Sequence, residues 1–427
     1  LLGVAALALS GCAERASSRE ADDDRSPVAL LAGEDDIDGY ARADAPRPFV
    51  YPDDHGPHPD YKIEWWYLTG HLDADDGHRY GYQFTIFRSA LTPPTETSDK
   101  TAAHDETTAT DEATPDGSAW TTNQIYLAHV ALTDLDGTGR HHAFERLGRG
   151  AVGVAGATAA PFRVWLDDWT LESANADPAR DRSTPDGVFP VRLRAAIGAA
   201  DLDLRTGEDD LAPFTLDLVL DAGKPAVLQG DRGLSRKGPT PGNASYYLSF
   251  TRMPTRGTVT IAGETRSVVG DSWLDREWST SVLETHTVGW DWFALQLDDG
   301  REIMVYQLRR DDGVVDPWSG GVLTVVEADG SKRVHETQAD GTASFLLEET
   351  GARWTSPTSD ITYPAGWRLR VDDEALDLTL TPKLADQELN VTYRYWEGAL
   401  DVAGIADGQP IGGRAYAELV GYRSGDD

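Results

Sequence analysis

The feature that most constrains the fold is a strict alternation of side chains along residues 290–297. Trp290 and Trp292 share one face with a small and a polar residue, whereas Asp291 shares the other face with the apolar row Phe293, Leu295 and Leu297. This period of two predicts a β-strand. Residues 298–300 follow as Asp-Asp-Gly, and Asp-Gly tolerates the positive φ that tight hairpin turns need. Residues 303–306 are therefore predicted to return as the partner strand.

A similar pattern occurs once earlier in the chain. Residues 66–84 contain an aromatic-led run, an acidic turn at Asp76-Gly77 and a returning Tyr-Gln pair, as residues 292–308 do. Such internal similarity predicts two related β modules, each opening with this hairpin.

The rest of the chain supports an all-β fold. Short strand-like runs are separated by Pro and Gly, and no long amphipathic helix is evident. A chain of 427 residues exceeds one typical core, so two domains are expected. We place an N-terminal β domain at 48–240, with a disordered Thr- and Asp-rich insertion at 91–119, and a C-terminal β domain at 241–427. The Pro- and Gly-rich stretch 230–242 is either the linker between them or a loop at a barrel mouth.

The N-terminal residues indicate export. Residues 1–12 are apolar and end in Leu-Ser-Gly-Cys, the pattern of a bacterial lipoprotein signal in which Cys12 is acylated. Residues 13–47 are acidic and poor in aromatics, so we interpret them as a disordered tether. We therefore expect a periplasmic protein, lipid-anchored to the outer membrane, without a disulfide because Cys12 is the only cysteine.

The charge limits the partners. Acidic residues outnumber basic ones by 72 to 38, a formal net charge of −34, which argues against nucleic acid as a partner. We interpret this as halophilic adaptation, because salt screens self-repulsion over about 10 Å at 0.1 M. His55 and His58 have metal-like spacing but are interpreted as solvated turn residues. We expect no metal, no cofactor and a monomer.

The candidate site lies in residues 270–309, where four of the thirteen tryptophans stand among charged residues. Such a cluster is either an active site or a set of structural ion pairs. The candidate catalytic residues are Asp291 or Asp275 as general acid/base, with Arg276 or Glu277 orienting water. The candidate ligand-binding residues, several of them able to stabilise positive charge through a ring face, are Trp278, Trp290, Trp292, Tyr306, Glu64 and Trp66.

Asp291 receives the most specific prediction. Because the row of Phe293 and Leu295 is the more apolar one, Asp291 is expected to face into the barrel, held at its mouth by Arg276 or Tyr306. Burial in an apolar cavity would raise its pKa and make it a plausible acid. Alternatively, Asp291 faces outward and is a structural partner of Arg276 or Arg301.

Five ordered motifs resemble a known family. They begin at Glu64-Trp-Trp-Tyr, Ala128-His-Val-Ala, Gly270-Asp-Ser-Trp, Gly289-Trp-Asp-Trp and Tyr395-Trp-Glu-Gly. Together, over about residues 49–423, they resemble the AttH-like predicted secreted hydrolases, of the same superfamily as the carotenoid hydratases. The resemblance implies two lipocalin-like β-barrel domains in tandem and an apolar ligand such as an isoprenoid or acyl chain.

The resemblance implies less about the reaction than about the fold. The carotenoid hydratases protonate a terminal double bond and add water, and their Asp-His-Asn-Trp motif corresponds here to residues 275–278, with Arg276 in place of His. Arginine stays protonated and cannot exchange a proton as histidine does. Two functions therefore stay open: an apolar-ligand-binding lipoprotein, accessory to an ABC-type exporter, or a cofactor-free hydratase or hydrolase.

Overall fold

The structure is a computed structural model that describes residues 37–94, 120–174, 183–198, 201–202, 211–280, 283–284, 286–312, 315–316, 322–336 and 344–425. The predicted signal segment with Cys12, the tether up to residue 36 and residues 95–119 of the predicted insertion lie outside these described residues. Among the described residues there is no helix long and apolar enough to cross a membrane.

The first sheet has thirteen antiparallel strands. They are β1 (Ile63–Ala74), β2 (Arg79–Ala90), β3 (Gln124–Asp134), β4 (Arg140–Arg149), β5 (Ala155–Ala159), β6 (Phe162–Leu166), β7 (Trp169–Ser173), β8 (Val191–Ile197), β9 (Phe214–Leu220), β10 (Val227–Leu228), β11 (Leu234–Arg236), β12 (Ala244–Ile261) and β13 (Glu264–Ser279). The order is β4-β3-β2-β1-β13-β12-β9-β8-β7-β6-β5, with β10 and β11 both paired to β12. Strands β3 and β4 at one end of this order contact β5 and β6 at the other, so the sheet curls almost into a barrel.

The remaining strands are β14 (Thr287–Leu297), β15 (Glu302–Arg310), β16 (Val322–Val326), β17 (Lys332–Glu336), β18 (Leu346–Glu349), β19 (Arg353–Thr355), β20 (Thr362–Pro364), β21 (Trp367–Val371), β22 (Leu376–Pro382), β23 (Glu388–Leu389), β24 (Tyr395–Ala406) and β25 (Gln409–Val420). Ten of them form the second sheet, in the order β17-β16-β15-β14-β25-β24-β22-β21-β18 with β23 on β24. β19 and β20 form a separate two-stranded ribbon. Short 3₁₀ turns occur at Asp53–His55 and Asp372–Glu374.

Each sheet opens with the hairpin that the sequence predicts. The β1–β2 hairpin turns at Gly77 and the β14–β15 hairpin turns at Gly300, and both glycines have positive φ, 91° and 88°. An L-residue is disfavoured in this conformation, so the Asp-Gly pairs fix the turns and hence the strand registers. The all-β, two-module prediction is confirmed.

Both curled sheets enclose a filled core. In the first, the inward residues of β1 pack with those of β6 to β9, as a cluster that includes Leu68, Trp169 and Leu218. In the second, the rings of Phe293 on β14 and Trp367 on β21 lie 5.1 Å apart, although three strands separate β14 from β21 in the sheet. Large side chains therefore occupy the described interiors.

A third cluster joins the two sheets. Tyr67, Tyr247 and Trp273 of the first sheet pack against Trp292 and Tyr306 of the second. Polar contacts add to this interface: the Arg252 guanidinium donates to Glu302 at 2.6 Å, and that of Arg414 donates to Asp73 at 2.7 Å. Residues on the outer faces of both sheets are thereby buried between them.

The predicted domain boundary at residue 240 is corrected by the strand pairing. Strands β12 and β13 pair with β9 and β1, so the first sheet extends to Ser279 and the second begins at Thr287. The Pro- and Gly-rich residues 230–242 resemble a linker, but they include β11 and pack on β12. Their composition is that of a loop at the mouth of a site, the other interpretation that the sequence allows.

The predicted tether is also too long. Within residues 37–47, Ala43 is buried in the first core, and the Tyr40 hydroxyl donates to the Ala90 carbonyl at 3.0 Å. The folded part of the chain therefore includes these residues. Because the segment as a whole is acidic, its composition does not reveal the few apolar residues that attach it to the core.

Candidate functional site

A pocket lies between the two sheets, not inside either of them. It comprises about 960 Å³ of space, its open mouth included. The lining is mostly aromatic and aliphatic, with three carboxyl groups, one lysine and one histidine: Trp65, Tyr67, Phe87, Leu127, His129, Lys237, Tyr247, Asp275, Glu277, Leu283, Trp290, Trp292, Tyr306, Leu308, Tyr393, Tyr395, Glu418 and Val420. The expectation of a ligand site within an aromatic barrel interior is corrected, because core side chains occupy those interiors.

Cross-strand register explains the wall contributed by the first sheet. Tyr67 of β1 lies opposite Asp275 of β13, and Asp275 lies opposite Ser249 of β12. In a β-sheet, residues directly opposite each other project to the same face. The alternation that buries Trp66 and Leu68 in the first core therefore places Tyr67 and Asp275 on the outer face, which the second sheet covers.

The second sheet contributes a matching row. Trp292 of β14 lies opposite Tyr306 of β15 on one side and Glu418 of β25 on the other. Glu418 in turn lies opposite Glu397 of β24. The rings of Tyr67 and Trp292 meet edge to face, with centroids 5.2 Å apart. The carboxyl groups of Glu418 and Glu397 thus lie side by side on the second sheet, in a row that faces the pocket residues of the first sheet.

Asp275 is buried and fully hydrogen-bonded. Its Oδ1 accepts from Ser249 Oγ at 2.5 Å and from Trp273 Nε1 at 2.7 Å, and its Oδ2 accepts from the Tyr247 hydroxyl. Burial raises the pKa of Asp275 to about 7, although these three hydrogen bonds act in the opposite direction. At neutral pH this carboxyl group can therefore both give and accept a proton.

Glu418 has a similar pKa in a more open position. Its Oε1 accepts from Trp290 Nε1 at 2.7 Å. Burial raises its pKa to about 7, with further contributions from the negative charges of Asp275 and Glu277 and against the hydrogen bond from Trp290. The site thus holds two carboxyl groups that are protonated in part at neutral pH and that influence each other.

Lys237 and Glu277 form the polar end of the pocket. Lys237 Nζ lies 3.4 Å from Glu277 Oε1 and 4.3 Å from the centroid of the Tyr306 ring. Burial by itself would lower the pKa of Lys237, but the negative charge of Glu277, with the contact to Tyr306, outweighs it and the pKa is raised. The amine therefore stays a cation, and Glu277 also accepts a hydrogen bond from Ser245.

Four predicted site residues lie elsewhere. Glu64, Trp66, Arg276 and Trp278 project into the first barrel, because they alternate with the outward residues Trp65, Tyr67, Asp275 and Glu277. There the Glu64 carboxylate, with no exposed surface, pairs with both Arg88 and Arg276. The Arg276 guanidinium lies 4.0 Å from the centroid of the Trp66 ring. This arrangement is a buried ion network away from the pocket.

Asp291 also lies outside the pocket. It faces into the second barrel with Phe293 and Leu295, the orientation that the sequence predicts. Its partners are Arg309, at 3.3 Å, and the Tyr422 hydroxyl, at 3.1 Å, so the predicted contact with Arg276 or Tyr306 is wrong. Burial raises the pKa of Asp291, with the positive charge of Arg309 acting against this. Asp291 does form an ion pair, but with Arg309 and inside the barrel, so the predicted alternative of an outward Asp291 paired with Arg276 or Arg301 is wrong as well.

The sequence therefore predicts the pocket only in part. Asp275, Glu277, Trp290, Trp292 and Tyr306 line it as candidate residues, whereas Glu418, Lys237, Tyr247 and His129 were missed. The alternation of Ala417 and Leu419 with Glu418 indicates that this carboxyl group points away from its own core. The surface that covers the Glu418 carboxyl group is set by contacts between strands that are far apart in the sequence.

Comparisons with known proteins agree with the architecture. The AttH-like family model matches residues 42–422. The crystal structure of a proposed AttH from Nitrosomonas europaea is 31% identical, with a TM-score of 0.67 over 90% of this chain and 99% of that one. Kievitone hydratase from Nectria haematococca is 15% identical, with a TM-score of 0.60 over 90% of this chain and 99% of that one. No curated protein matches the sequence.

The family match covers both curled sheets and the pocket between them, and it agrees with the resemblance seen in the sequence motifs. The chain belongs to the AttH-like family.

Proposed function

We propose that the protein hydrates a carbon–carbon double bond of an apolar substrate in the pocket between the two sheets. The observation that carries this proposal is the pair of carboxyl groups, Asp275 and Glu418, whose pKa values are both about 7 in a pocket lined mainly by aromatic rings. One of them can be protonated while the other is ionised, which acid-catalysed addition of water requires.

In the proposed reaction, Glu418 is the acid and Asp275 the base. The Glu418 O–H bond breaks and its proton forms a C–H bond with one alkene carbon, which leaves a cation on the other. The faces of Trp290 and Trp292 stabilise this cation. Water then forms a C–O bond with the cation and gives one proton to the Asp275 carboxylate. The product is the alcohol, and no electrons are gained or lost.

The lining supports an apolar substrate with a neutral reacting end. The hydrocarbon part contacts Phe87, Leu127, Leu308 and the tryptophans, whose burial against the substrate provides most of the affinity. An anionic end is disfavoured, because three carboxyl groups and one lysine line the same space. The fold is shared with kievitone hydratase, but the proposal depends on the residues of this chain.

The apolar lining favours a second function, carriage of an apolar ligand without chemistry. A carrier needs no stabilisation of positive charge, so the two functions differ in their preference for a cation. Octyltrimethylammonium and its uncharged isostere, with carbon in place of nitrogen, distinguish them. Tryptophan fluorescence titration is expected to show about 30-fold tighter binding of the cation near pH 8, since cation–ring attraction is worth about 2 kcal/mol in desolvated sites.

The preference should also depend on pH. As the pH rises through about 7, Asp275 and Glu418 ionise, so the affinity for the ammonium ion should increase while that for the isostere stays constant. Glu264→Gln removes one exposed negative charge and serves as the matched control with an unchanged preference. Equal or tighter binding of the isostere would contradict the hydratase proposal and support carriage.

We further propose that the protein acts as a lipid-anchored protein in the periplasm, where an apolar substrate can enter from a membrane or an exporter. The support is the sequence around Cys12. Cys12→Ala should move the protein from the membrane pellet to the soluble fraction, because the acyl chains on Cys12 are the proposed membrane anchor. Cys12→Ala protein that still sediments with membranes after a high-salt wash would contradict the anchor.

A further inference from the structure

A buried carboxyl group behind the pocket has no role in the reaction as proposed so far. Glu397 is fully buried and lies directly opposite Glu418 across β24 and β25. Its Oε1 accepts a hydrogen bond from the pocket residue Tyr67, whereas its Oε2 has no hydrogen-bond partner among the described residues. An ionised carboxylate with an unpaired oxygen is costly in the interior.

The surroundings of Glu397 favour its protonated form. Burial first, and then the negative charge of Glu418, raise the pKa of Glu397 well above its ordinary value, against its interactions with Tyr67 and Tyr395. The remaining titratable neighbour is Tyr416 of β25. Burial, the unpaired Oε2 and the nearby carboxyl group of Glu418 all favour the neutral acid form of Glu397.

A row of polar side chains leads from this position to solvent. Tyr395 lies two residues before Glu397 on the same strand and interacts with its carboxyl group. The Tyr395 hydroxyl lies 2.8 Å from His129 Nδ1, and His129 Nε2 lies 3.0 Å from Glu145 Oε2. The Glu145 side chain is 17% exposed and accepts a hydrogen bond from the exposed Thr392 at 3.1 Å.

The register explains this path. Glu145 lies opposite His129 across β3 and β4, so the two side chains share the outer face of the first sheet. Tyr395 reaches them from the second sheet. The path therefore crosses the interface between the sheets beside the pocket, which both His129 and Tyr395 line.

We propose that Glu397 is the proton reserve of the pocket, and that Tyr395, His129 and Glu145 form the path by which it exchanges protons with solvent. The reserve rests on the burial of Glu397, its unpaired Oε2 and its place opposite Glu418, and the path rests on the hydrogen bonds from Tyr395 through His129 to Glu145. Their use in turnover rests on the proposed hydration. Glu397 does not touch the substrate in this scheme. It acts through Glu418 and is a positioning residue.

The reserve completes the proton balance of the reaction. After Glu418 has given its proton to carbon, the Glu397 O–H proton moves to the Glu418 carboxylate. The Tyr395 hydroxyl then gives its proton to Glu397 and takes one from His129 Nδ1, while Glu145 and solvent supply His129 at Nε2. The proton that Asp275 gained from water leaves through the open mouth of the pocket, so the net reaction consumes only water and alkene.

Infrared spectroscopy tests the reserve without a substrate. At neutral pH the parent protein should show a carboxylic acid C=O band, in addition to those of the partly protonated Asp275 and Glu418, that is absent in Glu397→Gln. On transfer to heavy water this band shifts as the acid is deuterated. In His129→Phe and in Tyr395→Phe the shift should be at least about tenfold slower, because each change interrupts the relay.

The controls separate the path from a general effect on the fold. His335→Phe alters a histidine that is 10% exposed and contacts Glu374 instead, and it should leave the rate unchanged. Retention of the band in Glu397→Gln would overturn the reserve. An equally fast shift in His129→Phe, or equal slowing in His335→Phe, would overturn the path. Because this experiment measures no turnover, its results do not depend on whether the protein is a hydratase.

Discussion

Glu418→Gln is expected to abolish turnover and at the same time to stabilise the protein near pH 8. Glutamine keeps the size of the side chain and can still accept the hydrogen bond from Trp290, but it cannot donate a proton to carbon. Loss of a general acid typically costs about 10²- to 10⁴-fold in rate. The rate should be measured as incorporation of oxygen-18 from labelled water into the ligand.

The stability gain follows from the direction of the pKa shift. The pKa of Glu418 is raised from 4.5 to about 7 in the folded state, so the folded protein binds this proton more tightly than the unfolded chain does. Stability from this group is complete below its unfolded pKa and is lost as the pH rises to about 7. Removing the ionisable group should therefore raise the free energy of unfolding near pH 8 by up to about 3 kcal/mol.

Denaturant unfolding near pH 8 and near pH 4 measures this difference. The gain should be small at the lower pH, where Glu418 is neutral in both states. Glu264→Gln, at the exposed start of β13, is the matched control. It should leave the rate unchanged and should change the free energy of unfolding by no more than about 0.5 kcal/mol. Unchanged turnover in Glu418→Gln would remove this residue as the acid, and a loss of stability near pH 8 would contradict the raised pKa.

Glu64→Ala is expected to cause the largest loss of stability. Removing this carboxylate leaves Arg88 and Arg276 buried and without their shared anion. Breaking one partner of a buried ion network typically costs about 3–5 kcal/mol. Burial alone would raise the pKa of Glu64, but the positive charges of Arg88 and Arg276 hold it well below its ordinary value.

The stability that Glu64 contributes changes with pH in the opposite direction to the stability that Glu418 contributes. Because its folded-state pKa is lowered, the stability from Glu64 is present above its unfolded pKa and is lost as the pH falls below it. The difference between parent and Glu64→Ala should therefore shrink in acid. Folded Glu64→Ala should still bind octyltrimethylammonium like the parent, since the network lies outside the pocket. A stability change below about 1 kcal/mol, or loss of binding by folded protein, would contradict the structural role.

Local sequence patterns predict the strands and their inward faces because these depend on neighbours along the chain. The inward row of Phe293, Leu295 and Leu297 and the two Asp-Gly hairpins are examples. The same patterns place Asp291 correctly toward the barrel. Its partner Tyr422 is 131 residues away, and no local pattern specifies that contact.

The candidate site depends even more on distant contacts. In residues 275–278, alternation divides the motif between two environments: Asp275 and Glu277 face the pocket, whereas Arg276 and Trp278 face the first barrel. A row of aromatic and charged residues on the outer face of a strand is unusual for a surface exposed to water. That signal indicates a covered face, but the register between Glu397 and Glu418, and the sheet that covers them, follow only from the fold.

Hydration in the pocket between the sheets is tested most directly on the ligand that the protein retains when it is isolated from its source cell. The complex is incubated in oxygen-18 water, and the mass of the released ligand is measured for the parent and for Glu418→Gln. The account predicts an apolar alcohol that gains the heavy oxygen with the parent protein, because hydration is reversible, and does not gain it with the variant. A ligand that stays unlabelled with the parent, or is labelled equally with both proteins, would contradict it.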